Sequence, residues 1–117
     1  MKYYGYNHTY TPATRDIKRG GVYYVDMDKK RPAIVISNVG MNRSSDNITV
    51  ISVSSHLKRL DMTAHGLLSK PLNGRNAMYM AEHIYTVTRD RIGDYIDTLG
   101  KEDMYNIEHS LFNVLGF

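Results

Sequence analysis

Basic and hydroxyl side chains are concentrated between residues 29 and 55. They comprise three consecutive cations, a later arginine and three closely spaced serines: Lys29, Lys30, Arg31, Arg43, Ser52, Ser54 and Ser55. A guanidinium presents paired N–H donors in the geometry of a phosphate group, and a serine hydroxyl adds a donor and an acceptor. This combination predicts a phosphate-binding site. The alternative interpretation is a solvated strand end that lies near a surface arginine.

Three short apolar runs rich in β-branched residues predict the strands that must position these side chains. The runs and the polar loops between them cover residues 22–26, 26–30, 33–37, 38–47 and 48–53. Arg43 falls in the second loop, which is rich in Gly, Asn and Ser and is expected to be exposed. Because side chains alternate along a strand, Ser52 and Ser54 share a face, whereas Ser55 either points away or begins the next loop.

The second half of the chain predicts further strands, with some alternatives open. Residues 57–60 and 64–68 are candidates for short strands, and residues 70–76 for a loop. Residues 77–87 fit a strand pair or one long bent strand. A short helical turn with Thr88 as its N-cap follows at residues 88–91, and the next segment, 92–99, fits either a helix or a strand.

The C-terminal segment carries the clearest helical pattern. Its apolar residues recur at helical spacing on one face: Met104, Ile107, Leu111, Val114 and Leu115. Acidic Glu102 and Asp103 fall in the first turn, where the helix dipole favours negative charge, and Gly116 is placed as a C-cap. This helix needs a sheet or a partner to cover its apolar face.

These elements predict an α+β fold, in which a small, strongly twisted antiparallel sheet or partial barrel carries appended helices and the C-terminal helix packs on the sheet. The 117 residues suffice for one domain. Residues 17–117 are expected to form it. Residues 1–16 contain four tyrosines and no sustained period, so they predict an N-terminal arm or tail.

Composition excludes several functional classes. A net charge of +3 is too mild to indicate nucleic-acid binding by itself. The chain has no cysteine, and its five histidines show no spacing typical of a metal site. No P-loop, GxGxxG or GxSxG motif is present. We therefore expect no metal and no cofactor.

Membrane association is not expected either. No apolar run approaches the roughly 18 residues that span a bilayer, and the polar start lacks the apolar core of a secretory signal. The sequence thus predicts a soluble, cytoplasmic protein.

Residues 20–38, GGVYYVDMDKKRPAIVISN, resemble the MazF/PemK family of toxin endoribonucleases. The family motif is a Gly-Val strand, an acidic residue, a loop, and Arg-Pro before an apolar strand that ends near asparagine. The matching positions are Gly21, Val22, Asp26, Arg31, Pro32, residues 33–36 and Asn38, and then Asn42, Arg43 and the strand that ends at Ser54. The likeness continues more loosely through the terminal helix, so it covers about residues 17–117.

This resemblance implies an SH3-like barrel with appended helices that forms a homodimer. It also implies the toxin component of a type II toxin-antitoxin system, which binds a cognate antitoxin and cuts single-stranded RNA, such as mRNA, at a short sequence. Arg31 matches the family's catalytic arginine, and Ser54 stands where the family has a catalytic threonine or serine. In the implied mechanism the ribose 2′-hydroxyl attacks the adjacent phosphorus without metal, Arg31 stabilises the developing charge and Ser54 positions the phosphate.

Further residues are expected at the RNA site. The basic and hydroxyl side chains beside the catalytic pair, together with one tyrosine, are candidates for RNA contacts: Lys29, Lys30, Arg43, Ser52, Ser55 and Tyr85. His56 is a candidate acid or base, because an imidazole changes its charge at about pH 5 to 8. The alternative for His56 is a solvated side chain at a strand end.

One stretch departs from the family pattern. Residues 85–88 read Tyr-Thr-Val-Thr where the family often has Arg-x-x-Asp, so one arginine of the RNA site is missing. Tyr85 is expected either to stack on a base or to pack within the protein. The departure leaves open an alternative function, a catalytically weak or inactive module of the same family that binds nucleic acid or a partner.

Overall fold

Alternating and β-branched apolar residues form six strands within residues 16–117, the part of the chain that the computed structural model describes. The strands are β1 (Gly21–Asp26), β2 (Lys30–Val35), β3 (Asn47–Ser54), β4 (His65–Leu67), β5 (Met78–Thr88) and β6 (Ile92–Thr98). The helices are α1 (Val39–Ser44) and α2 (Lys101–Leu115), with a 3₁₀ turn at Arg89–Arg91. Apart from Asp16, the predicted N-terminal arm lies outside the described residues.

The strands form one antiparallel sheet in the order β4-β5-β3-β2-β1-β6. The β1–β2 and β2–β3 pairs have continuous registers, with Val22 opposite Ile34 and Ile34 opposite Ile51, whereas the β1–β6 and β3–β5 pairs contain register shifts. The predicted α+β fold with an antiparallel sheet and a C-terminal helix is therefore confirmed. Within the described residues the sheet remains open, with β4 and β6 at its edges, and does not close into the barrel that the family resemblance implied.

Both faces of the central strands are buried, which explains their unbroken apolar runs. On one face, which we call the helix-side core, α2 covers the sheet and its Ile107 is fully buried. The opposite core is built from residues of β1, β2, β3, β5 and β6 together with Ile17. Ala33 and Val35 belong to the opposite core and Ile34 to the helix-side core, as the alternation of strand side chains requires.

The predicted loop over residues 38–47 is wrong in part, because it contains helix α1. The Asn38 side chain caps this helix by accepting a hydrogen bond from the Met41 N–H at 2.8 Å. At the other end Arg89 donates to the carbonyl oxygens of Asn42 and Ser45, at 2.6 and 2.7 Å. A six-residue helix gains little from propensity alone, so this distant arginine is part of what stabilises it.

The structure decides between the alternatives that the sequence left open in the second half of the chain. Residues 92–98 form a strand, residues 57–60 form none, and residues 78–88 form one long strand interrupted by a bulge. The 3₁₀ turn begins after Thr88 as expected, although the Thr88 hydroxyl bonds to the Asp90 carboxylate rather than to a backbone N–H.

Helix α2 confirms its predicted bounds, and Gly116 follows it in the left-handed conformation with φ of 75°. In its first turn the Asp103 carboxylate accepts hydrogen bonds from the backbone N–H and the hydroxyl of Ser69. Leu115, predicted on the apolar face, is half exposed. No helix among the described residues is long and apolar enough to cross a bilayer.

Replacing Ile107 by alanine is expected to lower the free energy of unfolding by about 2 to 5 kcal/mol, because it leaves a cavity between α2 and the sheet. Leu115→Ala is the matched control on the same helix, and since Leu115 is half exposed its effect should stay within about 0.5 kcal/mol. Urea denaturation followed by circular dichroism measures both. Equal losses for the two variants would contradict the packing described for α2.

Candidate functional site

A cavity of about 660 Å³ opens where β2, β3 and β5 approach the turn between β1 and β2. Its ionisable side chains come from the β1–β2 hairpin, β5 and the 3₁₀ turn: Asp26, Asp28, Arg31, His83, Tyr85 and Arg91. Ser52, Ser54, Thr86 and Thr88 add hydroxyl groups, and Pro32, Val53 and Met80 are among the apolar lining residues. The cavity thus combines two guanidinium groups, two carboxylates, one imidazole and several hydroxyls.

Strand register brings Arg31 and Ser54 to this cavity. Ala33 in β2 and Ser52 in β3 form the last pair of the β2–β3 register, and Arg31 and Ser54 lie two residues beyond them at the same end of the sheet. A step of two residues keeps a side chain on the same face. The structure therefore brings together Arg31, Ser52 and Ser54, three of the residues singled out in the sequence.

The Arg31 guanidinium is held by a two-point contact with Asp28 in the β1–β2 turn. Arg31 Nε donates to Asp28 Oδ1 at 3.0 Å, and Nη2 donates to Oδ2 at 3.1 Å. This contact lowers the pKa of Asp28 to about 2, with further help from the Lys29 backbone N–H, and it raises the pKa of Arg31. The pair orients one edge of the guanidinium, while the Nη1–Nη2 edge of a side chain that is 44% exposed can still donate to an anion.

The Ser54 hydroxyl lies at the point where the chain leaves β3. Its oxygen accepts a hydrogen bond from the His56 N–H at 3.0 Å and donates one to the His56 carbonyl at 3.3 Å. These bonds fix the position of the hydroxyl at the cavity wall. Ser52, one step back on the same face, is buried.

Glu82 and two histidines form a cluster that reaches the cavity through His83, and within it Glu82 is hydrogen-bonded to His65. Glu82 Oε2 lies 2.6 Å from His65 Nε2 and 3.8 Å from His83 Nε2, while His65 Nδ1 lies 3.0 Å from the Arg59 carbonyl oxygen. Desolvation is the largest influence on Glu82 and acts to raise its pKa. The His65 hydrogen bond, a backbone hydrogen bond and the two histidine charges outweigh it, so the pKa is lowered overall. Glu82 is therefore ionised at every pH above the range in which a free glutamate titrates.

Two further cavity residues bear on the departure from the family pattern. Tyr85 is exposed rather than packed, and its ring lines the same cavity as Arg31. Arg91 reaches the cavity from the 3₁₀ turn and donates from Nη1 to the Asp26 carbonyl at 3.0 Å. A second guanidinium is therefore present although position 85 is a tyrosine.

Five of the predicted site residues lie elsewhere. Lys29 and Lys30 are exposed on the β1–β2 hairpin, and Arg43 is exposed on α1. Ser55 lines a smaller cavity of about 230 Å³ together with Tyr24, Asn73 and Arg75. His56 is exposed just beyond Ser54 and does not line the larger cavity. Their contacts with RNA stay predictions.

Three cavity residues, Asp28, His83 and Arg91, were not singled out in the sequence. Alternation along residues 77–87 already places His83 on the face of Tyr85, which is the signal that could have found it. Asp28 and Arg91 carry no comparable signal, because their places depend on how the turn and the sheet fold. Within residues 16–117 no three His, Asp or Glu side chains form a group that could hold a metal ion.

Comparison with known families gives a match over residues 18–115. The matching family model describes a "PemK-like, MazF-like toxin of type II toxin-antitoxin system". The match spans every strand and both helices, from before β1 to the end of α2.

Individual relatives agree with this match. Endoribonuclease EndoA of Bacillus subtilis is 27% identical over 105 residues, which are 81% of this chain and 90% of that protein. Among solved structures, an endoribonuclease from Mycobacterial species superposes with a TM-score of 0.78 at 24% identity, covering 88% of this chain and 94% of its own. Another structure from Mycobacterial species, titled as an endoribonuclease in complex with its cognate antitoxin, has a TM-score of 0.76 at 22% identity and covers 85% and 94% of the two chains.

Replacing Asp28 by asparagine should strengthen the binding of inorganic phosphate, because the Asp28 carboxylate competes with the anion for the Arg31 guanidinium. We expect a gain of about two- to fivefold, the scale of an exposed charge pair. Phosphate titrations followed by the NMR signal of Arg31 Nε–H measure the affinity.

Asp61→Asn is the matched control for this change. Asp61 makes the same two-point contact with Arg59, at 3.1 and 3.2 Å, but lies outside the cavity. Equal gains in the two variants would show a general charge effect, and weaker binding by Asp28→Asn would contradict competition at Arg31.

Glu82 makes stability depend on pH. Its pKa is lower in the folded protein, so its contribution is complete above the unfolded pKa of about 4.3 and is lost as the pH falls through the folded value. The difference in unfolding free energy between the wild type and Glu82→Gln should therefore shrink as the pH is lowered from 7 to 3. Urea denaturation at pH 7, 5 and 3 measures this difference, and a constant value would exclude the link.

Proposed function

The chain belongs to the family of PemK-like, MazF-like toxins of type II toxin-antitoxin systems, and on that premise we propose that it is an endoribonuclease that cleaves single-stranded RNA. The observation that carries this proposal is the placement of Arg31 and Ser54 on one cavity, two residues beyond the last pair of β2 and β3. A relative 27% identical to this chain is named an endoribonuclease. RNA suits the site because a phosphodiester needs paired donors, and RNA carries its own nucleophile beside each phosphate.

The cavity offers donors on several sides of a bound phosphodiester. Arg31 presents its Nη1–Nη2 edge and Arg91 adds a second guanidinium, while the Ser54 hydroxyl can donate to a phosphate once it exchanges its 3.3 Å hydrogen bond with the His56 carbonyl. Guanidinium groups keep their charge at every pH at which RNA is stable. One phosphate can therefore be held by charge and hydrogen bonds before any bond is broken.

Cleavage in this proposal is a transesterification that needs no metal ion. The ribose 2′-oxygen attacks the adjacent phosphorus, a bond forms between them, and the bond from phosphorus to the 5′-oxygen breaks to leave a cyclic phosphate. Arg31 stabilises the negative charge that gathers on the non-bridging oxygens, and Ser54 holds the phosphate in place. A preorganised donor of this kind contributes about 3 to 4 kcal/mol to the transition state.

Side chains around the cavity then determine which RNA sequence is bound. The exposed Tyr85 ring can stack on a base next to the cleaved bond. Lys29 and Lys30 lie on the hairpin that carries Asp28 and can bind flanking phosphates, while Ser52 borders the same cavity. Arg43 on α1 and Ser55 at the smaller cavity can bind only more distant parts of a long RNA. Cleavage at a short base sequence would follow from such contacts.

The same proposal includes protein partners and a compartment. We expect a cognate antitoxin that covers the loops, by analogy with the family description and with the Mycobacterial complex, and a homodimer, as the family resemblance implies. The substrate, mRNA, places the reaction in the cytoplasm.

A second candidate is a module of this family that binds nucleic acid or a partner without cutting. Two observations favour it. Asp28 occupies one edge of the Arg31 guanidinium, and Tyr85 stands where the family often has an arginine. Cleavage requires that Arg31 bind the phosphate despite Asp28, so activity measurements separate the two candidates.

Arg31→Ala is expected to lower kcat for a long single-stranded RNA by about 10²- to 10³-fold, because it removes the donor that stabilises the transition state. Ser54→Ala should lower kcat less, since its hydroxyl positions the phosphate. Arg59→Ala is the control, because it removes an equally charged side chain with the same kind of carboxylate contact outside the cavity. Gel analysis of end-labelled RNA in the presence of EDTA measures all four proteins.

Two outcomes would contradict the proposal. If Arg31→Ala cuts RNA as fast as the wild type, the proposed role of Arg31 is wrong. If a substrate with a 2′-deoxy sugar at the cleavage site is still cut, attack by the 2′-hydroxyl is excluded. Tight binding of many RNAs with no cutting by the wild type would favour the binding module instead.

A further inference from the structure

One cavity residue, His83, has no part in the mechanism described so far. Among the histidines at positions 56, 65, 83 and 109, which lie in the described residues, His83 is the one that lines the cavity with Arg31 and Ser54. Its side chain is 45% exposed, so a bound substrate can reach the ring. His56, the histidine that the sequence favoured as an acid or base, lies outside this lining.

A bulge in β5 determines where His83 points. Ile84 pairs with Ile51, whereas Met80 pairs with the next residue of β3, Ser52. Residues 81–83 therefore have no counterpart in β3; Ala81 stays buried in the helix-side core, whereas Glu82 and His83 are exposed. Bulges redirect side chains and are frequent beside active sites, and this one places the His83 ring on the cavity wall.

The same bulge supplies a carboxylate next to His83. Glu82 Oε2 lies 3.8 Å from His83 Nε2 and is held by His65, whose ring is 7% exposed and contacts the Arg59 carbonyl oxygen through Nδ1. The pKa of Glu82 is lowered, although desolvation acts to raise it, because the His65 hydrogen bond and the neighbouring histidine charges outweigh burial. An anchored, ionised carboxylate beside an imidazole favours the protonated ring after it has accepted a proton.

The proposed transesterification needs a group that accepts the proton of the 2′-hydroxyl. The arginines of the cavity cannot serve, since they stay protonated. Asp28 is bound to Arg31, and with a pKa of about 2 it is a weak base. An imidazole accepts and releases protons near neutral pH, which matches the needs of general base catalysis.

We propose that His83 is the general base of this reaction. This assignment rests on the proposed ribonuclease function and deepens it. The neutral His83 ring takes the proton of the 2′-hydroxyl while the 2′-oxygen bonds to phosphorus and the bond to the 5′-oxygen breaks. A water molecule protonates the 5′-oxygen, and the hydroxide that remains takes the proton back from the imidazolium. Glu82 acts as a positioning residue, and Arg31 stabilises the charged phosphorus centre.

The test compares His83→Gln with His56→Gln, which removes an exposed histidine outside the cavity. For the wild type, kcat/KM on single-stranded RNA should rise about tenfold per pH unit at acid pH and level off once an imidazole is neutral. His83→Gln should lose this acid limb and fall by about 10²- to 10⁴-fold at pH 7.5. His56→Gln should keep both.

Other groups that titrate or carry charge near the ring must be separated from His83. They lie on the β1–β2 hairpin, β4, β5 and the 3₁₀ turn: Asp26, Asp28, Arg31, His65, Glu82, Tyr85 and Arg91. His65 is the other imidazole in this group. His65→Gln should keep the acid limb if His83 is the base.

Chemical rescue gives a second readout. Added imidazole should restore cutting by His83→Ala several-fold and leave Arg31→Ala unaffected, with circular dichroism showing that both are folded. If His83→Gln keeps the acid limb while Arg31→Ala is inactive, His83 is not the general base, and the ribonuclease proposal itself still stands. Loss of an alkaline limb instead would make His83 an acid and overturn the role of base. Absence of cutting by the wild type on every RNA would overturn the ribonuclease function and this inference with it.

Discussion

The antiparallel register of β2 and β3 is the constraint on which the rest of the site depends. Ala33 pairs with Ser52, Ile34 with Ile51 and Val35 with Val50, and Arg31 and Ser54 follow two residues beyond the last pair, where both line the cavity. A slip of one residue would move every side chain of one strand to the other face. Arg31 and Ser54 would then point to opposite sides, and Ile34 would leave the helix-side core. The packing that stabilises the sheet and the geometry of the cavity are therefore enforced together.

Burial on both faces makes that register strict. Every residue of β3 from Val50 to Val53 is buried between the helix-side core and the opposite core. A shifted pairing of β3 with its neighbours would therefore expose apolar side chains to water. The catalytic candidates lie where the central strands reach the edge of these cores. Arg31 is the second residue of β2, and Ser54 is the last residue of β3. The cavity accordingly forms at the ends of strands, where donors stay close to water and are still held by a rigid sheet.

Turns and a bulge next to these paired strands supply the other charged groups of the cavity. The short β1–β2 turn presents Asp28 to Arg31 as a bound carboxylate, and the β5 bulge presents Glu82 and His83 side by side. The 3₁₀ turn after β5 brings Arg91 to the same space, which gives a second guanidinium although position 85 is a tyrosine. A phosphate entering this cavity would meet both attraction from two arginines and competition from Asp28. The balance between them, rather than the presence of Arg31 alone, sets how strongly the cavity binds an anion.

The sequence by itself determined the strands of the first half, the terminal helix and the family motif, because propensity, alternation and capping act over a few residues. It also singled out Arg31, Ser52, Ser54 and Tyr85, which line one cavity and whose roles stay predictions. It could not determine helix α1, whose last carbonyls are bound by Arg89 from beyond β5, nor the bulge that turns His83 toward the cavity. It also could not show that Arg43, Ser55 and His56 lie away from the cavity while Asp28 and Arg91 reach it. Tertiary structure decided these points, since each depends on which distant segments the register of the sheet brings together.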